Sequence, residues 1–221
     1  ADKKMTVQSI DVEVDHVHHA EYSSAHSGVS ESEDSFLPTW VTEQRDGWGE
    51  KLVVPEWEDS DGKYRDTHGW KGRDLVHDVN SPVRILEYYV NYGNGSGVPG
   101  CSKGGMDTTL TGIAHFTRRA ESHQGFCHGG SMCSLLDDVI GWVGFLVTGE
   151  CKPWSGFTVQ INSSLKRPIP VGSVLLVKAT ITKVERRKVS VVASIEDPQE
   201  EAIHATGDGL VIVNRGVLPD E

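Results

Sequence analysis

Phe126-Cys-His-Gly-Gly-Ser-Met-Cys-Ser-Leu-Leu-Asp-Asp-Val-Ile-Gly-Trp-Val-Gly-Phe-Leu-Val147 is the stretch on which the reading of this chain turns. Gly129 and Gly130 free the backbone, Ser131 can cap a helix, and from Leu135 the apolar residues fall at 135, 136, 139, 140, 143, 146 and 147. That is helical spacing. On a wheel of about 100° per residue they fill one arc, the stripe of a helix that faces a core. His128, Gly129 and Gly130 then stand at its N-terminal end, where backbone N–H groups lack intrahelical partners and the dipole is positive. Developing negative charge is stabilised there. About two turns further on lie two adjacent carboxylates, Asp137 and Asp138, in an otherwise apolar helix, and such placement suggests acid–base chemistry. Periodicity alone does not choose between them, because they flank opposite edges of the apolar arc; Asp137 shares its side with Gly141 and Gly144, which would let a ligand or a partner helix come close.

On the N-terminal side of this helix, Val83–Tyr92 and Thr108–Arg118 are rich in branched and aromatic residues and predict a β-hairpin. Their connection holds Gly95-Ser-Gly-Val-Pro-Gly100, which formally matches G-x-G-x-x-G. A dinucleotide fingerprint must open a helix, whereas this segment contains Pro99 and leads into a strand. No Gly-Lys-Ser/Thr follows it either. On the C-terminal side, residues 158–165, 174–184, 188–196 and 202–213 predict four strands with short polar connections, the signature of an antiparallel meander. The order is β-β-α-β-β-β-β. One long apolar helix and one antiparallel sheet predict an α+β fold in which the sheet wraps around the helix and buries its stripe.

The 221 residues, 37% of them apolar, suffice for one domain with a substantial core and an extension. The net charge of −11 is uneven: residues 1–80 hold 18 Asp/Glu and 8 Lys/Arg, and residues 81–221 hold 14 and 13. An acidic chain does not neutralise phosphates along a duplex, so nucleic acid is not an expected partner. The expected organisation is an acidic extension over 1–80, packed in part on the main domain, a domain over 81–215, and a tail over 216–221. Residues 1–35 read as a poorly ordered arm or one edge strand. Phe36–Gln44 and Trp70–His77 read as short helices, and the tryptophans at 40, 48, 57 and 70 need a surface to pack on. Cys101, Cys127, Cys133 and Cys151 form no Cys-x-x-Cys pair and read as reduced thiols; neither they nor His16, His18, His19 and His26 have the spacing of a metal site. The longest apolar run, 139–147, is too short to cross a bilayer, and no membrane insertion is expected. The chain starts at Ala1 and a targeting segment could precede it, so the expected setting is intracellular and soluble, in cytoplasm or an organelle matrix.

Gly125-Phe-Cys-His-Gly-Gly130 with Asp137 nine residues after His128, the run Thr158–Pro170 ending in Lys-Arg-Pro-Ile-Pro, and Lys183-Val-Glu-Arg-Arg-Lys188 together resemble the hotdog-fold acyl-CoA thioesterases. The branch most similar is that of the mitochondrial long-chain acyl-CoA thioesterases. The resemblance covers roughly residues 83–213 and implies a hotdog fold, a homodimer or dimer of dimers, an acyl-CoA substrate and no cofactor or metal. It implies that the backbone N–H groups of Gly129 and Gly130 form an oxyanion hole, that Asp137 is general base or nucleophile, and that Thr158 orients water, with parts of the site drawn from two subunits. A carboxylate set among apolar residues is also a stronger base near neutrality. His128 either fixes the loop or helps polarise the thioester. Lys166, Arg167, Arg186, Arg187 and Lys188 are the dense basic groups of a nearly neutral domain, suited to the phosphates of coenzyme A. Two other readings are a hotdog dehydratase or hydratase and a protein that binds acyl-CoA without cleaving it.

Overall fold

The computed structural model describes residues 37–54, 63–93, 104–149 and 155–214. The N-terminal arm with its histidines, Phe36, Trp57, the Gly95–Gly100 loop, Cys101, Cys151 and residues 216–221 lie outside the described residues.

Helix α3 (Gly129–Phe145) runs on as a short 3-10 turn over Leu146–Thr148. Leu135, Leu136, Val139, Ile140 and Val143 are wholly shielded from solvent, and Leu146 and Val147 nearly so. At about 2 kcal/mol for each fully buried aliphatic side chain, this stripe supplies on the order of 10 kcal/mol against the entropy of ordering the chain. Gly129–Thr148 has the length and composition of a membrane-crossing helix. The stripe of that helix is covered by the sheet.

Among the described residues that sheet is antiparallel and seven-stranded. It comprises β1 (Glu50–Leu52), β2 (Val83–Asn91), β3 (Thr109–Phe116), β6 (Gly156–Leu165), β7 (Val174–Glu185), β8 (Lys188–Asp197) and β9 (Ala202–Val213), in the order β1-β2-β3-β7-β8-β9-β6. Two further short strands, β4 (Glu121–His123) and β5 (Phe126–Cys127), form a ribbon just before the helix. The large sheet wraps around α3, which packs on β3 and on β6 to β9. This is the hotdog fold.

The expected hairpin of β2 and β3 is present, with pairing from Val83↔Phe116 to Asn91↔Thr109. The expected four-strand meander is not. Only β7, β8 and β9 follow one another across the sheet; β6 lies at the far edge, paired with β9 through Thr158↔Val211 and Leu165↔Ala205. The physical reason is the β6–β7 connection. It holds Pro168 and Pro170, and the backbone of Ile169 and Pro170 is engaged by Cys127 and Phe126 of the ribbon instead of turning back in a hairpin.

The preceding segment differs from expectation in one respect. Helix α1 spans Thr39–Gln44, within the expected Phe36–Gln44, but the helical turn expected at Trp70–His77 lies earlier, as α2 (Lys63–Thr67). Around residue 76 the Asp74 carboxylate accepts the N–H groups of Val76 and His77 at 2.9 and 3.0 Å, a local turn that competes with helix formation. Successive strand residues face opposite sides, and β2 uses both. Tyr88 joins the core around α3, whereas Tyr89 joins Trp40, Val41, Ile113 and Leu176 in a second cluster. Trp48 meets the Tyr89 ring edge-on at 5.6 Å.

Candidate active site

The start of α3 is held by His128, not by Ser131. His128 has extended backbone angles, and its Nδ1 accepts the Gly130 N–H at 2.8 Å. Ser131 lies inside the first turn, and its N–H and Oγ both donate to the His128 carbonyl, at 3.0 and 2.7 Å. The loop is fixed from behind, since the His128 N–H donates to the Ala120 carbonyl at 2.7 Å. Because Nδ1 accepts, the hydrogen of a neutral ring sits on Nε2, so exposed His128 presents an outward N–H donor beside the helix terminus. The Gly129 N–H has no acceptor among the described residues. A Cβ at Gly130 would lie 2.7 Å from His128 Nδ1, and one at Gly129 would lie 2.6 Å from Leu165 Cδ1.

Two turns on, Asp137 and Thr158 share a cleft of about 320 Å³ with Asp138 and Gly141. Apart from Gly156, its remaining walls are aromatic: Trp70, Trp142, Phe145 and Phe157. Gly141 faces Thr158; a Cβ there would stand 3.4 Å from Thr158 Oγ1, an ordinary contact. Gly144 serves a different contact from the one its sequence position suggested. It lies against Val211 of β9, where a Cβ would meet three side-chain carbons at 2.9 Å, so it seats the helix on the sheet. Asp137 is open to solvent in the single chain, not enclosed among apolar side chains. Asp138, half-buried, accepts Tyr88 Oη–H on Oδ2 at 2.9 Å and His77 Nε2–H at 3.0 Å on Oδ2 and 3.2 Å on Oδ1. Neither His77 nor Tyr88 was singled out in the sequence, and neither carries a local signal: they lie 61 and 50 residues from Asp138.

The helix runs from the Leu165 end of β6 toward the Gly156 end. A rise of about 1.5 Å per residue sets Gly130 and Asp137 roughly 10 Å apart along it. The basic residues also separate. Lys166 and Arg167 follow the Leu165 end of β6, where Arg167 lies 4.0 Å from Glu200. Arg186 and Arg187 form the β7–β8 turn and Lys188 opens β8, and they reach the other end through Lys188↔Ile212 and Ile212↔Phe157. At about 3.3 Å per strand residue these groups stand some 30 Å apart within one chain. Arg186 takes a left-handed φ of 53° in that turn, and Arg187 Nε donates to the Val213 carbonyl at 2.6 Å. Among the described residues no group of three or more His, Cys, Asp or Glu could hold a metal ion.

Residues 124–203 match the profile of the Thioesterase superfamily. Among curated proteins, the acyl-coenzyme A thioesterase THEM4 of Rattus norvegicus is 31% identical over 90 residues, covering 40% of this chain and 36% of that protein. Acyl-coenzyme A thioesterase THEM5 of Mus musculus is 28% identical over 92 residues, covering 42% and 35%. The matched stretch therefore spans about a third of the length of these relatives. Solved structures similar to the chain include zebra fish thioesterase superfamily member 2, at 14% identity and a TM-score of 0.46, covering 73% of this chain and 100% of that one. A hypothetical thioesterase of Streptococcus pneumoniae, solved with coenzyme A, has 18% identity and a TM-score of 0.44, covering 49% and 80%.

Proposed function

We propose that this chain, whose residues 124–203 match the Thioesterase superfamily, hydrolyses acyl-CoA thioesters at a site shared between two copies. The observation that carries the reading is the pairing of Asp137 with Thr158 on one cleft, roughly 10 Å along the helix from the N-terminal donors. An oxyanion needs donors at about 3 Å, so the two parts of one chain do not serve one carbonyl. Two helices packed antiparallel bring the N-terminus of one to Asp137 of the other, giving two equivalent sites in a closed dimer. Among the described residues strand β6 is a sheet edge with Phe157, Val159 and Leu165 exposed, and pairing two such edges would cover them. The same antiparallel pairing carries Lys166 and Arg167 of one copy toward Arg186, Arg187 and Lys188 of the other, so that basic groups distant within a chain converge on the coenzyme phosphates.

In this reading Thr158 holds a water and Asp137 accepts its proton as the water oxygen attacks the thioester carbon. The carbonyl oxygen becomes an oxyanion facing Gly129 N–H, with His128 Nε2–H beside it; the Gly130 N–H, expected to join them, is instead committed to His128 Nδ1 and fixes the loop. Collapse breaks the C–S bond and gives the free acid and the coenzyme A thiol, which takes up the proton. No cofactor is called for.

The test is thiol release from palmitoyl-CoA and from a short acyl-CoA. The parent should turn over at least one of them, and Asp137→Asn should lose on the order of 100-fold or more in kcat while staying folded. A parent that binds acyl-CoA without releasing thiol would favour a binding protein.

A further inference from the structure

Asp138 is the less expected of the two helix carboxylates, yet it is the one the fold holds in place. Its side chain is 15% exposed and that of His77 only 3%. A half-buried carboxylate is costly unless donors compensate it, and here the donors come from outside the helix and the strands after it. His77 belongs to the segment before β2, and Tyr88 to β2 itself. His77 is fixed from several directions. Its backbone N–H is held by Asp74, the carbonyl of neighbouring Val76 accepts the Ile85 N–H at 3.0 Å, and its ring meets Trp142 edge-on at 6.3 Å. Ser81 Oγ donates to the Asp74 carbonyl at 2.9 Å and so closes the same turn. The same segment also supplies Trp70 to the cleft wall.

The contacts crowd onto one oxygen. Oδ2 takes both short hydrogen bonds, whereas Oδ1 has only the 3.2 Å contact, and Asp138 itself lines the cleft that holds Asp137 and Thr158. An ionised carboxylate has about four lone-pair sites, so Asp138, a residue of the cleft wall, keeps acceptor capacity, most of it on Oδ1. We propose that Asp138 is a second carboxylate of the site, which accepts a hydrogen bond from the attacking water, and that His77 and Tyr88 are positioning residues that act through it. This inference rests on the hydrolytic reading above. It makes the segment before the hotdog strands a part of the site and not only a cover.

The test is kcat and KM on an acyl-CoA for the parent, Asp138→Asn, His77→Leu, His77→Gln, Tyr88→Phe and the double variant His77→Leu/Asp138→Asn. His77→Leu and Asp138→Asn should each lower kcat on the order of 10- to 100-fold, with KM within about twofold of the parent. The double variant should be no slower than the slower single variant, because both act on one group. His77→Gln keeps a donor and should recover most of the loss. Tyr88→Phe removes one hydroxyl from an intact ring, should lower kcat in the same direction, and serves if His77→Leu does not fold. Two results overturn the proposal: folded variants that keep the parent kcat, or a double variant slowed by the product of the two single effects. If those results come from an active parent, only this inference fails; a parent inert on every acyl-CoA removes the hydrolytic reading as well.

Discussion

Asp137 and Asp138 show what single positions do and do not disclose. Their order in sequence marked both as unusual, but a helical wheel set them on opposite edges of one arc. What separates them is a hydrogen bond from His77, and no periodicity reports a partner 61 residues away. His128 is the same lesson at short range. Ser131 has the side chain usual at a helix start, yet the imidazole two residues before Gly130 takes the cap. The thiols allow a residue-scale prediction. Burial, with the Glu121 carboxylate adding to it, pushes the Cys127 thiol up to about 11. A raised value means that the neutral thiol persists through pH 8 and that thiolate appears only near pH 11. Peptide-mapped alkylation of the folded protein at pH 8 should therefore modify Cys133 well before Cys127; equal labelling would contradict the burial of Cys127.

At the scale of elements, the helix was legible because all seven apolar positions of its stripe had to be buried together, and they are. The six long strands were legible from their branched and alternating residues, whereas the short strands β1, β4 and β5 were not expected. Their lateral order was not, since alternation along β6 says which residues share a face and nothing about which strand lies beside it. The two helix glycines, alike in sequence, now separate. Gly144→Val would drive a branched side chain into Val211 and should cost about 2 kcal/mol or more in denaturant unfolding. Gly141→Ala meets only an ordinary contact with Thr158 and gains helix propensity, so stability should hold or rise by up to about 1 kcal/mol. The methyl group would nevertheless stand at Thr158 Oγ1, and turnover should fall. Equal stability losses at the two positions would contradict the seating of the helix described above.

For the molecule as a whole, the hotdog fold followed from one helix and its flanking strands, whereas the completeness of the site did not. The proposed donors and base lie on the same helix, about 10 Å apart, a spacing that the helix alone sets; the basic groups lie at opposite ends of β6, a separation not visible until the strand order is known. Both resolve if two copies meet antiparallel. The decisive measurement is complementation between Gly130→Val, which displaces the His128 cap and blocks the donors, and Asp137→Asn, which removes the base. Each variant alone should be inactive toward acyl-CoA. After unfolding and refolding as an equal mixture, half the dimers are mixed, and each mixed dimer holds one intact site of two, so thiol release should return to about a quarter of the parent rate. If mixed dimers form, as native mass spectrometry would show, and no activity returns, donors and base are not supplied by different copies and the shared site is refuted.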